Sequence, residues 1–183
     1  MKRIWVLFLF CIVAMPLLTF GQNEPGFGKM TLGANFELSI PVGDFGDVAG
    51  TGYGGNVRFQ YGADIHSVFT ATAGYLVWGE KDFTNGTPSV IGAQSVQWKA
   101  FNIFVGGKYY FAPGFFGSLE GGLYFVSADY SGGLVSASGS STYFMLPIGI
   151  GYQKSGIEVA ARYMLLHPDF NQISFLVGYN FAL

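Results

Sequence analysis

The chain has 183 residues; half are hydrophobic, 18% are aromatic, only 11% are charged, and the formal net charge is −2. Soluble domains carry about 25% charged residues, so this composition argues against an ordinary water-soluble surface. The mild acidity also argues against a nucleic-acid-binding protein.

The N-terminal segment has the pattern of a secretory signal peptide. Two basic residues precede an unbroken apolar stretch over 4–18, and small or polar residues follow it. We expect cleavage close to Gly21, which defines a signal peptide over 1–21 and a single mature domain over 22–183. An uncleaved membrane anchor is the alternative, but the stretch is short for a helical span of ~20 residues and Pro16 interrupts it.

The single cysteine of the chain, Cys11, lies within the predicted signal peptide. The mature domain therefore has no cysteine, and we expect neither a disulfide framework nor a thiolate metal site. Removal of Lys2 and Arg3 leaves seven of the nine Lys and Arg residues against eleven Asp and Glu residues. The mature domain remains mildly acidic.

Apolar and polar residues alternate along the mature domain with a period of two, which is typical of strands rather than helices. In the first segment the apolar positions are Met30, Leu32, Ala34, Phe36, Leu38 and Ile40. The same alternation recurs seven times. It predicts eight strands, over 30–40, 53–61, 69–77, 101–111, 115–125, 144–152, 157–165 and 172–183.

The charged residues provide an independent test of how the two faces are assigned, because that assignment uses apolar residues alone. The apolar face of the eight segments carries no charge. The charges that fall on the opposite face are Lys29, Glu37, Arg58, Lys108, Glu120, Glu158 and Arg162. Lys99 shares the apolar parity of the fourth segment but precedes it, so we place it at or above the lipid headgroups, where a cation costs little.

The face that points inward decides the class of protein. In a soluble barrel or sandwich the apolar face forms the core. Here that face is rich in Phe, Tyr, Leu and Ile, whereas the interior of an eight-stranded barrel is only just wide enough for side chains. The small and polar residues of the other face fit such a lumen better. We therefore predict an all-β fold, an eight-stranded antiparallel up-and-down transmembrane β-barrel whose apolar side chains face lipid.

The predicted links between strands alternate in length. The long links cover 41–50, 79–95 and 127–141, the short links cover 62–66, 112–114 and 153–156, and 167–171 is of modest length. The first long link reads as a turn after Pro41. Outer-membrane barrels have short periplasmic turns and longer external loops. The lengths therefore predict that both termini lie in the periplasm.

Three strings of glycine and aromatic residues resemble a known family. They are ELSIPVGDFGD (37–47), NIFVGGKYYF (102–111) and LPIGIGYQ (146–153). They are similar to the strands of the small eight-stranded outer-membrane β-barrel proteins, the OmpA and OmpX kind, and the resemblance covers the whole mature domain. It implies a multi-pass protein of a Gram-negative outer membrane, in contact with outer-membrane lipid and lipopolysaccharide at the cell surface. We expect a monomer.

The terminal string GYNFAL resembles the C-terminal signal that such barrels present to the insertion machinery. The residues that carry the resemblance are Gly178, Tyr179, Phe181 and Leu183. Leu183 departs from the pattern, since an aromatic residue is more usual at the last position. The resemblance implies assembly by the barrel insertion machinery with periplasmic chaperones.

Six inward charges predict a structural network in the lumen. Glu37, Glu120 and Glu158 balance Arg58, Lys108 and Arg162. An unpaired ion in a confined lumen is costly, whereas paired ions satisfy each other. We predict an interior salt-bridge network that plugs the barrel. The alternative is a set of water-solvated charges near the two rims, with a narrow hydrated path between them.

The sequence predicts no enzyme and no catalytic, cofactor-binding or metal-binding site. His66 falls in a short turn and His167 opens the last external link, so we interpret both as solvated histidines. The loops over 79–95 and 127–141 suit surface contact or adhesion, because binding residues often lie on loops of a rigid scaffold. The alternatives are a narrow small-solute channel, a lipid-modifying outer-membrane enzyme, and a soluble secreted β-barrel that binds a small apolar ligand.

Overall fold

A computed structural model describes residues 26–79, 95–132, 135–165 and 170–183. The predicted signal peptide, His167 and most of the predicted link over 79–95 lie outside the described residues. Among the described residues, no helix is long and apolar enough to cross a membrane.

The described residues form eight strands and one short helix. The strands are Met30–Pro41 (β1), Gly52–Gly62 (β2), Ser67–Trp78 (β3), Ser95–Ala112 (β4), Phe115–Gly132 (β5), Val135–Lys154 (β6), Ile157–Leu165 (β7) and Gln172–Ala182 (β8), and the helix is Asp44–Val48 (α1). Each strand pairs antiparallel with the next, and β8 pairs with β1, so the sheet closes into an up-and-down barrel. The predicted fold class is confirmed.

Side chains of each strand alternate between a buried and an exposed environment. In β1 the alternation is strict from Met30 to Ile40, with the polar residues inside. Apolar side chains on the outer face are widely exposed, at 57% for Phe36, 62% for Val105 and 46% for Phe175. This arrangement is the reverse of a soluble barrel with an apolar core, so that alternative is wrong. It matches a transmembrane barrel, whose outer face is apolar and whose strands leave no open edge in lipid.

Short turns join the strands at the end of the barrel that carries the chain termini. The β6–β7 turn consists of Ser155 and Gly156, both with positive φ (51° and 82°), as a type I′ hairpin turn requires. A Cβ on Gly156 would lie 2.7 Å from the ring of Tyr179, so this position also needs glycine for space. We call this end the turn end and the opposite end the loop end.

Two predicted links differ from the structure. The link over 127–141 is mostly strand, because β5 continues to Gly132 and β6 begins at Val135. The link over 41–50 contains α1 rather than a simple turn. The link over 127–141 does alternate, with Ala128 and Tyr130 against Ser127 and Asp129, but its apolar residues have the opposite parity to the apolar face of the fifth predicted strand. The link over 41–50 has no alternation of period two.

Candidate functional site

The six predicted interior charges all lie inside the barrel. Each occupies an inward position of its strand and is at most 5% exposed. β1 supplies Glu37, β2 Arg58, β4 Lys108, β5 Glu120, and β7 both Glu158 and Arg162. We call this set the ionic layer. The sequence predicts this inward position, because all six residues belong to the polar face of the alternating strands.

Ion pairs connect strands that are not neighbours in the barrel. Glu158 is the centre of one group: its Oε1 lies 2.6 Å from Arg58 Nη1 and its Oε2 lies 2.7 Å from Lys108 Nζ. Arg162 Nη2 lies 2.6 Å from Glu37 Oε2. Glu120 lies farther from its cations, at 3.7 Å from Arg58 Nε and 3.7 Å from Arg162 Nη1. The six side chains therefore form one connected network across the lumen.

Neutral polar side chains complete much of the ionic layer. Thr70 and Thr72 donate to Glu120 Oε1 at 2.8 and 3.0 Å. Asn56 Nδ2 donates to Glu37 Oε2 at 3.2 Å, and Asn180 Nδ2 donates to Glu158 Oε2 at 3.0 Å. A buried carboxylate is tolerated when counter-ions and hydrogen bonds replace its hydration. The arrangement explains how three carboxylates can remain inside a barrel this narrow.

The lumen towards the turn end is filled by polar and aromatic side chains around Lys108. The Lys108 ammonium donates to Gln60 Oε1 at 3.2 Å and lies 4.4 Å from the centroid of the Phe116 ring. Gln60 in turn donates to Asn180. Tyr110 donates to Gln153 at 2.9 Å. Side chains thus occupy the lumen below the ionic layer.

The lumen towards the loop end is filled by large apolar and aromatic side chains. They include Leu76, Trp78, Phe104, Tyr124, Met145 and Met164, all almost fully buried in one cluster. We call this set the apolar layer. The prediction that small and polar residues fill the lumen is wrong at this level. Closure by α1 shields these inward positions from water, so apolar side chains are favoured there.

Helix α1 closes the loop end through Phe45. Phe45 is 1% exposed, and its ring centroid lies 5.4 Å from that of Trp78, 5.9 Å from that of Trp98 and 5.0 Å from that of Phe170. Trp98 Nε1 also donates to the carbonyl oxygen of Val48 at 3.3 Å. The first long link therefore folds into the mouth of the barrel and closes it. We call α1 in this position the stopper.

Sequence reasoning missed Phe45 and its aromatic partners. Trp78 and Trp98 occupy inward-facing positions of β3 and β4, and this could have indicated that apolar side chains fill the lumen at the loop end. Phe45 and Phe170 lie outside the strands, in segments with no periodic pattern. No sequence signal of period two could have placed those two rings in the lumen.

Part of the sheet protrudes beyond the barrel at the loop end. β5 pairs with β6 as far as Gly132 and Val135, whereas β7 pairs with β6 only between Leu146 and Lys154. We call the paired ends of β5 and β6, residues 127–132 and 135–142, the protruding hairpin. The β6 part of this hairpin pairs with β5 on one side. On its other side, no described residue pairs with its backbone. The side chains from Ser138 to Thr142 are all exposed, on both faces of the strand.

The C-terminal residues close the barrel seam at the turn end. Gly178 lies opposite Asn35, and a Cβ there would lie 2.6 Å from that side chain's Cγ, so the position requires glycine. The rings of Tyr179 and Phe181 are in contact, with centroids 4.9 Å apart. Leu183 is 73% exposed, and its backbone N–H donates to Met30. Gly178, Tyr179 and Phe181 thus lie on β8, next to β1, and Leu183 follows the last residue of that strand.

His66 lies on the β2–β3 turn, at the opposite end from the protruding hairpin. Its backbone N–H donates to Asp64 Oδ1 at 2.6 Å, and that of Ser67 donates to the same atom at 2.7 Å. These two donors lower the pKa of the Asp64 carboxyl below its ordinary value. Within the described ranges there is no group of three or more His, Cys, Asp or Glu residues placed to hold a metal ion.

No protein-family model and no curated protein matches the chain. Among solved structures, the chain is similar to Ail, the attachment invasion locus protein of Yersinia pestis. The structure of Ail with the heparin analogue sucrose octasulfate aligns with a TM-score of 0.60 and 14% identity, over 86% of this chain and 99% of that chain. A second crystal structure of Ail gives 0.55 and 14%, over 87% and 100%. At this identity the likeness shows the fold, which is that of a small eight-stranded outer-membrane β-barrel.

Proposed function

We propose that the chain is an integral protein of a Gram-negative outer membrane that contacts partners outside the cell through its protruding hairpin. The observation that carries the proposal is the backbone edge of β6 before Leu146, with which no described residue pairs, together with the exposure of the side chains from Ser138 to Thr142. The outer face of the barrel, with its band of exposed apolar side chains, supports insertion in lipid.

The proposal includes an orientation. The turn end faces the periplasm, so both chain termini lie there, and the loop end faces outward. Short periplasmic turns and longer external connections are the rule in outer-membrane barrels. Assembly then uses the barrel insertion machinery and periplasmic chaperones, with Gly178, Tyr179, Phe181 and Leu183 as the recognised end, and the inserted protein is a monomer in contact with lipid and lipopolysaccharide.

We assign a contact role rather than a catalytic one. Ser140 and Ser141 lie on the protruding hairpin, whereas His66, the only histidine among the described residues, lies at the other end of the barrel. A serine nucleophile needs a base within hydrogen-bond reach. A channel role is also disfavoured, because side chains fill the lumen at the apolar layer, at the ionic layer and around Lys108.

The charges at the loop end argue against a polysulfated ligand of the kind bound to Ail. The described charges there are Asp44, Asp47, Lys99 and Asp129. Lys99 already pairs with Asp129 at 2.7 Å. A highly sulfated molecule would meet an acidic surface. The open strand edge instead favours a partner that forms backbone hydrogen bonds.

Orientation can be tested with two matched cysteine variants. Ser140→Cys places a thiol on the protruding hairpin and Ser155→Cys places one on the β6–β7 turn, and both residues are exposed. The mature domain has no other cysteine if the signal peptide is removed. On intact cells, a membrane-impermeant maleimide should label the first variant and not the second. Labelling of the second variant alone would reverse the orientation and contradict the proposal.

Surface contact can be tested by shortening the protruding hairpin. Ala128 and Gly139 lie opposite each other in the β5–β6 register, so an Asn-Gly turn can replace residues 129–138. Bacteria that display the shortened protein should be retained less on a cultured cell layer than bacteria with the intact protein. Ile65→Ser, at the turn end, is the matched control. Equal retention of all three strains would contradict the contact role.

A further inference from the structure

A cavity of about 270 Å³ lies at the loop end, beside the protruding hairpin. Aromatic residues line one part of it, and small residues of β6 line another. The aromatic residues are Trp98, Tyr143 and Phe170, and the small residues are Gly139, Ser140 and Ser141. We call this space the mouth cavity. It lies apart from the ionic layer, and none of the described residues that line it is charged.

The aromatic residues form a preformed wall of the mouth cavity. The Phe170 ring centroid lies 4.6 Å from that of Tyr143 and 5.9 Å from that of Trp98. Phe170 is buried, whereas Trp98 and Tyr143 are only partly buried, so part of each of these two side chains remains accessible to a ligand. The hydrogen bond from Trp98 Nε1 to Val48 fixes the orientation of the indole. A wall that is already ordered loses little conformational entropy when a ligand binds.

Small residues provide the space on the other side of the mouth cavity. Trp98 lies opposite Ala128 in the β4–β5 register, and Ala128 lies opposite Gly139 in the β5–β6 register. A Cβ on Gly139 would meet no heavy atom of the described residues within 4 Å, and the φ angle of Gly139 is not positive. Neither packing nor backbone conformation therefore requires a glycine there. Its effect is to leave open space beside the aromatic wall.

Polar groups border the same space. Ser140 and Ser141 are exposed, and a serine hydroxyl can both donate and accept hydrogen bonds. On the side of β6 away from β5, no described residue pairs with the backbone of this segment, so the strand itself offers further donors and acceptors. An ion in the cavity would lose hydration without a lining charge of opposite sign among the described residues. The lining therefore selects a neutral ligand.

A neutral hexose ring has the chemistry that this lining accepts. One face of such a ring carries C–H groups, which pack on an aromatic ring, and its edge carries hydroxyls that both donate and accept hydrogen bonds. A purely apolar group would fill the space but leave the serine hydroxyls and the strand backbone without partners. Sites for drug-sized ligands measure about 300–1,000 Å³, so the mouth cavity holds a single ring rather than an extended chain.

We propose that the mouth cavity binds one neutral hexose ring, which packs on Trp98 and Tyr143 and forms hydrogen bonds with Ser141 and with the backbone of β6. The ring belongs to a larger glycan, either the lipopolysaccharide of the same membrane or a carbohydrate on another surface. The proposal goes beyond the contact role of the protruding hairpin and shares with it only the outward orientation of the loop end.

Tryptophan fluorescence of the refolded protein tests the proposal. Trp98 is the reporter, because the other tryptophan of the predicted mature domain, Trp78, is fully buried in the apolar layer. The protein is kept in a zwitterionic detergent, since the head groups of glucoside and maltoside detergents are themselves hexoses. The probes are the methyl glycosides of glucose, galactose, mannose and N-acetylglucosamine. At least one should change the emission in a saturable manner, and a saturable response to none of them would overturn the proposal.

Matched glycine variants locate the site. In Gly139→Leu the added side chain occupies the space of the ring, so the affinity for the responding probe should fall by about tenfold or more. Gly117→Leu adds the same side chain on the outer face, where a Cβ would lie 3.9 Å from its nearest neighbour, and should leave the affinity unchanged. A heat-dependent gel shift shows that both variants fold. Wild-type affinity in Gly139→Leu would contradict the site.

A peptide probe separates a sugar from a protein ligand. N-acetyl-leucine methylamide presents an apolar side chain and a peptide backbone, and it should produce no saturable response. Binding of this probe, with no response to any of the glycosides, would assign the mouth cavity to a peptide segment and contradict the proposal.

Competition identifies the source of the ring. Displacement of the responding glycoside by lipopolysaccharide that carries core hexoses, and not by lipopolysaccharide that lacks them, would assign the ligand to the same membrane. Displacement by a soluble neutral oligosaccharide that ends in the responding hexose would assign it to another surface. Either result supports the proposal, and displacement by neither would contradict it.

The shortened hairpin separates hexose binding from cell contact. Replacement of residues 129–138 by Asn-Gly keeps Trp98, Gly139, Ser141 and Tyr143, so this variant should bind the glycoside as wild type does even if its retention on cells is lost. Loss of hexose binding in this variant would contradict the placement of the site at the base of the hairpin.

Discussion

Lys108 Nζ and Glu158 Oε2 lie 2.7 Å apart across the lumen, joining β4 to β7, which are not neighbours in the barrel. The same carboxylate also accepts from Arg58 on β2. A single buried side chain thus connects three separate strands, in addition to the backbone hydrogen bonds that join each strand to the next. At this level of the lumen, ion pairs therefore connect strands that no backbone pairing joins.

Glu158→Gln should strongly destabilise the barrel. The substitution leaves Arg58 and Lys108 without their closest counter-ion, and breaking a buried pair in this way costs about 3–5 kcal/mol. Urea unfolding of the protein in lipid vesicles measures the change. Lys99→Gln, which breaks the exposed pair with Asp129, is the control and should change stability by less than about 1 kcal/mol. Equal effects of the two substitutions would contradict a structural role for the ionic layer.

Arg162→Met should also lower stability, because Glu37 loses the cation 2.6 Å away and Glu120 loses one of its two cations. The expected loss is again about 3–5 kcal/mol. Arg58→Met provides a second variant with the same expectation, since Glu158 and Glu120 both face that guanidinium. The urea midpoints of both variants should fall below that of wild type. Unchanged midpoints for both variants would rule out the network as a source of stability.

Phe45→Ala should loosen the stopper at the loop end. Truncation of a buried phenylalanine costs about 3–5 kcal/mol in a soluble core, and the ring here contacts Trp78, Trp98 and Phe170. Because Trp78 and Trp98 are the tryptophans of the mature domain, their emission should shift to longer wavelength as water reaches them. Phe27→Ala, at a position 74% exposed, is the control and should leave the emission unchanged. An unchanged spectrum for Phe45→Ala would show that α1 does not seal the mouth.

Low pH should open the β2–β3 turn. Asp64 accepts from the backbone N–H groups of His66 and Ser67, which lowers its pKa in the folded state. A lowered folded pKa means that the stabilisation is present above the unfolded pKa and is lost as the pH falls through the folded pKa. Hydrogen exchange at these two amides, corrected for its intrinsic pH dependence, should therefore accelerate in strong acid. In Asp64→Ala the exchange should be fast already at neutral pH, and protection equal to wild type would contradict the role of this carboxylate.

Much of the fold could be predicted because lipid and lumen impose opposite requirements on alternate residues. The strict alternation of β1, and the confinement of charges such as Glu37 and Arg58 to one face, both follow from that constraint. The constraint ends where the sheet leaves the membrane. The hairpin residues Ser138 to Thr142 are exposed on both faces, so their strand has no apolar pattern and depends on backbone pairing with β5.

The apolar layer and the stopper could not be predicted for a related reason. Inward residues such as Leu76 and Trp78 belong to the same buried cluster as Phe45 of α1. A contact between a link and distant strands leaves no periodic trace in the sequence. The pairing of inward side chains across the lumen, such as that of Arg162 with Glu37, also cannot be read from parity alone.

The outer face also predicts the effect of an added charge. Val105→Lys places an ammonium at a position that is 62% exposed on the apolar band, where a lipid-facing lysine near the midplane costs ~2–4 kcal/mol. Ser140→Lys, on the protruding hairpin, is the matched control and should be nearly neutral, because Ser140 is exposed and lies opposite Ser127 rather than an apolar residue. Urea unfolding in vesicles compares the two variants. A neutral effect at position 105 would contradict contact with hydrocarbon.

Contact of the apolar outer face with lipid is measured most directly by a spin label attached at Val105→Cys in the protein reconstituted into lipid vesicles. Electron paramagnetic resonance should show strong relaxation of this label by dissolved oxygen and little by a water-soluble nickel complex. The same label at Ser140→Cys should show the opposite preference. If the label at position 105 is instead relaxed mainly by the nickel complex, or by neither reagent, the outer face does not lie against hydrocarbon and the barrel does not span a membrane in this way.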